Sequence, residues 1–143
     1  MSSALLGLDF GEKRIGVAFV SERTTIAFPL LVIEKKSREQ VLRELQKIIL
    51  ERRVTKIVAG LPKTLKGTIG PAAEKLMKEV EWYQSQLTVP IVLWDERLSS
   101  KEVERVLIDA DVRRDKRKEI IDQLAAQRIL QNYLDSSMSG QKE

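Results

Sequence analysis

Apolar and polar positions follow a strand-like period through the first third of the chain and then alternate between strand and helix periods. Residues 4–10, Ala4-Leu5-Leu6-Gly7-Leu8-Asp9-Phe10, form an almost unbroken apolar run, the pattern of a strand buried on both faces. Gly11-Glu12-Lys13 reads as a turn, and Ile15, Val17 and Phe19 alternate along a hairpin partner over residues 14–20. Residues 28–34 make a third strand. Ser37 with Gln40 is a capping box, after which Val41, Leu42, Leu45, Ile48 and Ile49 recur at helical spacing, predicting a helix over 38–52. Residues 55–61 predict another buried strand, and residues 61–70, rich in Gly, Pro and Lys, a loop. Pro71 opens a helix to about residue 87 carrying Ala73, Leu76, Met77, Val80 and Tyr83. Residues 90–95 form the fifth strand. Ser99 with Glu102 caps a helix bearing Val103, Val106 and Leu107, and Asp115 is expected to cap the last helix, where Ile120, Ile121, Leu124, Ala125, Ile129 and Leu130 share one face.

The order β-β-β-α-β-α-β-α-α predicts an α/β fold, a mixed five-stranded sheet flanked by helices, in one domain over residues 4–135. A polar tail, 136–143, is expected to fray. In an open sheet of this kind ligands gather outside the carboxyl ends of the strands.

Composition narrows the chemistry. The chain has 143 residues, 43% hydrophobic and 32% charged, which suits one globular unit. No apolar stretch approaches the ~20 residues needed to span a bilayer. Met1-Ser2-Ser3 lacks a basic stretch followed by an apolar one, so no secretory signal is read and a cytoplasmic location is expected. With no cysteine and no histidine, thiolate nucleophiles, cysteine-ligated zinc and an imidazole base are excluded, which leaves carboxylates and lysines. A net charge of +4 favours an anionic partner. Arg113-Arg114-Asp115-Lys116-Arg117-Lys118 is the densest basic run, with smaller clusters at Arg52-Arg53 and at Lys63 and Lys66; phosphate is the obvious counter-charge, although a solvated helix start accounts for such a run equally well.

Carboxylates stand at three places where apolar elements would not tolerate them uncompensated. Asp9 lies inside the first apolar run, and burying an unpaired carboxylate costs several kcal/mol or more. The run Pro90-Ile91-Val92-Leu93-Trp94 ends in Asp95-Glu96, and Asp122 interrupts the stretch Ile120-Ile121-Asp122-Gln123-Leu124-Ala125-Ala126, beside the apolar stripe of the last helix. Carboxylates in these places suggest a divalent-metal site. Each also has a structural reading: Asp9 in a buried ion pair with Lys13 or Arg14, Glu96 capping a loop, Asp122 exposed on its helix. Neighbours on a strand point to opposite faces, so only one of Asp95 and Glu96 reaches such a site; Glu96 is preferred, with Asp95 in reserve. Trp82 and Trp94 are read as core in preference to base-stacking platforms.

Gly7-Leu8-Asp9-Phe10-Gly11 with Lys13-Arg14 and Gly16, Gly60-Leu61-Pro62 with Gly67 and Gly70-Pro71, Asp95-Glu96-Arg97-Leu98, and Asp122 with Ala125-Ala126 together resemble the YqgF family, also called RuvX, over residues 4–135. Ser99-Ser100 stands where many members have threonine. The resemblance implies an RNase H-like fold related to RuvC-type Holliday-junction resolvases and a nuclease acting on the precursor of small-subunit ribosomal RNA, with junction resolution as a further activity. It makes Asp9, Glu96 and Asp122 the catalytic and metal-binding carboxylates. Two Mg²⁺ or Mn²⁺ ions about 4 Å apart, completed by substrate, would then activate water and stabilise charge at phosphorus. Lys13, Arg14, Thr68, Arg97, Arg113, Arg114 and Lys116 become candidate nucleic-acid contacts, Thr68 with the backbone amides of residues 67–70. For Lys13 and Arg14 a hairpin role, and for the 67–70 turn a surface loop, fit as well. The partners implied are pre-rRNA or branched or single-stranded DNA, and ribosomal particles, with the protein a monomer or homodimer. Two other readings stay open: a non-catalytic RNA-binding or ribosome-assembly factor on the same fold, and an ATP-binding relative of actin and sugar kinases, which Leu8-Asp9-Phe10-Gly11 also resembles although the chain is short for their second lobe.

Overall fold

The computed structural model describes residues 4–62, 70–96 and 114–140. Strands β1 (Ala4–Phe10), β2 (Arg14–Val20), β3 (Phe28–Glu34), β4 (Val54–Pro62) and β5 (Ile91–Glu96) form one sheet in the order β3-β2-β1-β4-β5. The hairpin partners are antiparallel, while β4 runs parallel to β1 and β5 parallel to β4. Helices α1 (Arg38–Arg52), α2 (Pro71–Gln86) and α3 (Arg114–Gly140) complete the described elements. The helix expected after Ser99 falls outside the described residues.

Local chemistry sets the element ends. The β1–β2 turn closes with the Gly11 N–H donating to the Arg14 carbonyl at 2.8 Å, and a Cβ at Gly11 would meet that same oxygen at 2.8 Å. The capping box of α1 is made: Ser37 Oγ accepts from the Gln40 N–H, and the Gln40 side chain accepts from the Ser37 N–H. The helix stops at Arg53, whose φ of 55° is left-handed. Pro71 opens α2, and Gln84 fastens its far end to β5, accepting from the Ile91 N–H and donating to the Val89 carbonyl.

Both expected limits of the last helix move. Asp115 lies within α3 and does not cap it, and α3 continues beyond Ser136, where a polar tail was expected, to Gly140. Residues 131–140 contain no proline, and serine lowers helix stability only modestly, so nothing there interrupts the turn-by-turn hydrogen bonding.

Strand alternation divides the core. Leu6, Leu8, Ile15, Val17 and Ile33 face α1 and α2, packing with Val41, Leu45 and Tyr83. Beyond them, under α2, Leu61 joins Ala73, Leu76 and Val80. Leu5, Ala18, Val20 and Val58 face the opposite way, against Ala126, Ile129 and Leu130 of α3. Gly7 sits on that second face at the point of closest approach: a Cβ there would lie 2.7 Å from Leu130 Cβ and 2.9 Å from the Ala126 carbonyl oxygen.

Gly7→Ala should therefore push α3 off the sheet and destabilise the protein by about 1–3 kcal/mol, read as a lowered urea midpoint. An unchanged midpoint would show that α3 has slack over β1. The buried Tyr83 gives a pH-dependent counterpart. Burial, then the neighbouring Glu79 carboxylate, raise its hydroxyl pKa above the ordinary value of 10.0. A raised folded value means that the stability contributed by neutral Tyr83 is complete below the unfolded pKa and is lost as pH climbs towards the folded one. Between about pH 9 and about pH 11, the wild-type urea midpoint should accordingly fall further than that of Tyr83→Phe.

Candidate active site

Asp9 is half-buried, one residue from the carboxyl end of β1. Its cross-strand neighbour in β2 is Gly16. On the other side Leu8 pairs with Ala59, so Asp9 comes level with Gly60 of β4. Both lateral neighbours of this carboxylate are thus glycines, and no Cβ walls it in along the sheet. Gly60 in turn pairs with Trp94, and Pro62 with Glu96. Residues paired in register share a face and alternate residues return to it, so positions 9, 60, 94 and 96 belong to one face of the sheet, the face covered by α3. Position 95 pairs with Leu61 and belongs to the other face.

The direction of α3 follows from its contacts. Gln131 accepts from the Ala27 N–H at 2.8 Å and donates to the Thr25 carbonyl at 3.0 Å, and Gln127 donates to the Ala27 carbonyl at 3.2 Å. These grip the β2–β3 connection, at the edge where β1 begins. Tyr133 takes a hydrogen bond from Lys56 Nζ at 3.0 Å, near the start of β4. Ala126 and Leu130 lie over Gly7 in mid-strand. The amino-terminal half of α3 therefore points to the edge where β1 ends. Asp122, four residues before Ala126, comes about 6 Å further along the helix in that direction.

The other candidates divide. Arg14 opens β2 half-buried, opposite Glu34, on Asp9's face and one row beyond Gly16. Lys13 is exposed in the turn, where its carbonyl accepts the Lys35 N–H at 2.8 Å. Arg114 and Lys116 belong to the first turn of α3 as described. Thr68, Arg97 and Arg113, with Lys63 and Lys66, lie outside the described residues. Trp94 packs edge-to-face on Tyr133 with ring centroids 5.4 Å apart, within the α3 layer, as a core residue would. Trp82 is half-buried beside Tyr83, with the Arg38 guanidinium 4.5 Å above its ring.

Gly16, Gly60 and the Gln127–Gln131 pair were not singled out for these roles by sequence reasoning. Gly16 and Gly60 become meaningful only once the β2-β1-β4 order and register are known. Two glutamines one helical turn apart beside an apolar stripe are the faint signal that α3 is fastened to a backbone.

Comparison with known proteins places these features in a family context. A family model described as RuvX, Holliday junction resolvase, matches residues 3–136. A protein of Desulforudis audaxviator is 46% identical over 136 residues, covering 95% of this chain and 96% of its own, and one of Thermoanaerobacter pseudethanolicus is 49% identical over 133 residues, covering 92% and 96%. Both carry a pre-16S rRNA nuclease name. Among solved structures, Thermus thermophilus RuvC with a Holliday junction substrate superposes with a TM-score of 0.57 at 12% identity, covering 96% of each chain. A Fowlpox virus resolvase bound to Holliday junction DNA gives 0.55 at 10%, covering 93% of this chain and 97% of its own. The fold is thus the RNase H-like fold of RuvC-type resolvases.

Gln131→Ala should free the Ala27 amide, which is buried and has this side chain as its acceptor. Leaving a buried N–H unsatisfied costs about 1–3 kcal/mol, so hydrogen exchange at Ala27 should accelerate more than at the β1 amides. Uniform acceleration along the chain would mean that the clamp acts only through global stability.

Proposed function

Because this chain belongs to the RuvX family of Holliday junction resolvases, we propose that it is a divalent-metal-dependent nuclease that hydrolyses phosphodiester bonds in pre-16S rRNA, with Asp9, Glu96 and Asp122 as its metal-binding carboxylates. The observation that carries this reading is the register: positions 9 and 96 share the face under α3 near the edge where β1, β4 and β5 end. The direction of α3 supports adding Asp122 to them.

The donor set fits Mg²⁺ or Mn²⁺, hard ions that prefer carboxylate oxygens to the imidazole and thiolate ligands this chain lacks. When bound, a metal pair supplies a water deprotonated near neutral pH and charge stabilisation at the phosphorus. The protein's part is placement. The backbone at Asp9 is held by a strand paired on both sides, which fixes the point from which its carboxylate reaches out, and the glycines beside it leave lateral room for a phosphodiester. Arg14, on the same face, is within the right region to neutralise a non-bridging phosphate oxygen, and Lys13 projects from the adjoining turn. Arg114 and Lys116 lead into the helix that carries Asp122 and suit a more distant stretch of backbone.

The relatives' name supports ribosomal RNA precursor as substrate, and the RuvC-like fold supports a branched nucleic acid as an additional one. Work on pre-rRNA belongs in the cytoplasm, and among the described residues no helix is long and apolar enough to cross a membrane.

Asp9→Asn is the decisive variant. It removes a ligating charge and no phosphate-contacting cation, so cleavage of a labelled pre-16S fragment should be abolished while binding stays equal or tightens. Millimolar Mg²⁺ or Mn²⁺ should raise the melting temperature of the parent more than that of the variant. A variant that cleaves at the parental rate would remove Asp9 from the chemistry. A parent that binds the fragment but leaves it intact with either metal would leave a binding factor in place of a nuclease.

A further inference from the structure

On the opposite face from Asp9, but at the same edge of the sheet, lies a cleft that the carboxylate site does not use. A cavity of about 450 Å³ runs between the β3–α1 junction and α2, and a second, of about 230 Å³, continues it to Phe10 and Gly11 at the end of β1. The two share Glu12, Lys35 and Glu79 in their linings, so they form one groove. It begins one residue from Asp9.

The groove is basic on balance: Lys35, Lys36, Arg38, Lys75 and Lys78 line it against Glu12 and Glu79. One wall carries Lys36 and Arg38; the other carries Lys75, Lys78 and Trp82, on a stripe of α2 with the three- and four-residue spacing that puts side chains on one helix face. Lys35 is already committed, pairing with Glu79 at 2.9 Å and donating to the Gly11 carbonyl at 3.2 Å. That pair neutralises Glu79 and ties β3, α2 and the β1–β2 turn together, which fixes the distance between the walls. Among the described residues, Lys36, Lys75 and Lys78 make no ion pair. The Arg38 guanidinium carbon lies 4.5 Å from the Trp82 ring centre, and its only described carboxylate contact, to Glu39, is a loose, exposed one at 3.8 Å. A guanidinium held over an indole by cation–π attraction still has N–H donors for a second partner, and its planar fork recognises a phosphate through two of them at once.

We propose that this groove binds the phosphodiester backbone of one strand of the substrate, on the portion that leaves the carboxylate site over Gly11, with Lys75 and Lys78 on one side of the strand and Lys36 and Arg38 on the other. The proposal rests on the nuclease reading for its substrate class. A concave channel with cations on both walls suits a single backbone passing between them; a flat basic face would suit a duplex. Arg38 on its Trp82 platform is the specific contact, and the lysines supply the field. The groove explains why the positive charge of α2 is gathered on this side: its catalytic counterpart across the sheet is acidic and would itself repel phosphate.

The test is a salt titration of binding in EDTA, where no cleavage occurs, using a labelled single-stranded RNA long enough to pass from Asp9 beyond Trp82. The parent is compared with the triple variant Lys36→Gln, Lys75→Gln, Lys78→Gln and with the matching Lys→Arg triple, which keeps the charge. Each lost phosphate contact should reduce the slope of log affinity against log salt by roughly 0.7, so the Gln triple should lose about 2 while the Arg triple retains the parental slope. In cleavage with metal present, the Gln triple should raise KM with kcat held. Arg38→Lys, which keeps charge but not the planar fork, should weaken binding about tenfold without changing the slope. Equal slopes for parent and Gln triple would overturn the groove while leaving the nuclease intact. A parent with no affinity for nucleic acid would overturn both. Displacement of the RNA by inorganic phosphate at equal phosphate concentration would assign an isolated-anion site and also overturn the strand proposal.

Discussion

The close approach of α3 to β1 at Gly7 is the contact on which the rest of the molecule depends. With only a hydrogen where other residues carry Cβ, the helix comes so near the strand that a Cβ would sit 2.7 Å from Leu130 Cβ and 2.9 Å from the Ala126 carbonyl oxygen. That proximity closes the second face of the sheet with small residues, Ala18 and Ala126 among them, and buries Ile129 and Leu130 completely or nearly so. It also fixes a level. A helix that cannot lift away and is gripped at its far half by Gln127, Gln131 and Tyr133 has no freedom to slide, so the position of Asp122 relative to Asp9 is set by packing some distance from either carboxylate.

From the same constraint comes a division of labour between faces. The α1–α2 face contains the larger apolar cluster and the fully buried Tyr83, and it is stabilised by bulk. The α3 face is lined with small residues and glycines at Gly7, Gly16 and Gly60, a poor way to build hydrophobic stability and a good way to let a helix and a ligand approach a strand backbone. Apolar burial thus accumulates on one side, where it frees the other to carry an ionisable group in mid-sheet. Asp9 itself is tolerated because it stands at the strand end, half-buried, where water or a cation can reach it.

Most of the architecture was legible in the residues because the local signals agreed. The unbroken apolar run of β1, the alternation of β2 and the capping box at Ser37 each name one conformation, and all three elements occur where those signals stand. The α3 limits were misjudged for a physical reason: Asp115 is a good cap residue, but capping preference is worth about 1 kcal/mol, and a polar, proline-free end gives no sharp stop. At the proposed site, the candidate carboxylates stood out because charge within or at the end of an apolar run is expensive and so conspicuous. Their glycine neighbours did not, since Gly16 and Gly60 are 44 residues apart and meet on either side of Asp9 only through the parallel crossover. The groove was invisible for the same reason. Arg38 and Trp82 belong to different helices, and no periodicity within either predicts that one lies over the other.

The electrostatic arrangement follows from a conflict that any carboxylate-based phosphodiesterase must resolve. Three acids that would hold a metal pair, as proposed for Asp9, Glu96 and Asp122, would also repel the substrate that must approach it, most strongly in the partly desolvated pocket where the chemistry is to occur. Cations paired with the acids would neutralise them and compete with the metal, so beyond Arg14, which is proposed to meet the phosphate itself, the attraction has to come from charge near the site but outside it, within about a Debye length of 8–10 Å. A five-stranded sheet separates such charge from the acids. Its edge is common to both faces, so a strand of nucleic acid can cross it, while the sheet itself keeps the lysines of α2 from collapsing onto Asp9. The chain's small excess of positive charge, +4 in total, is sufficient when it is distributed in this way.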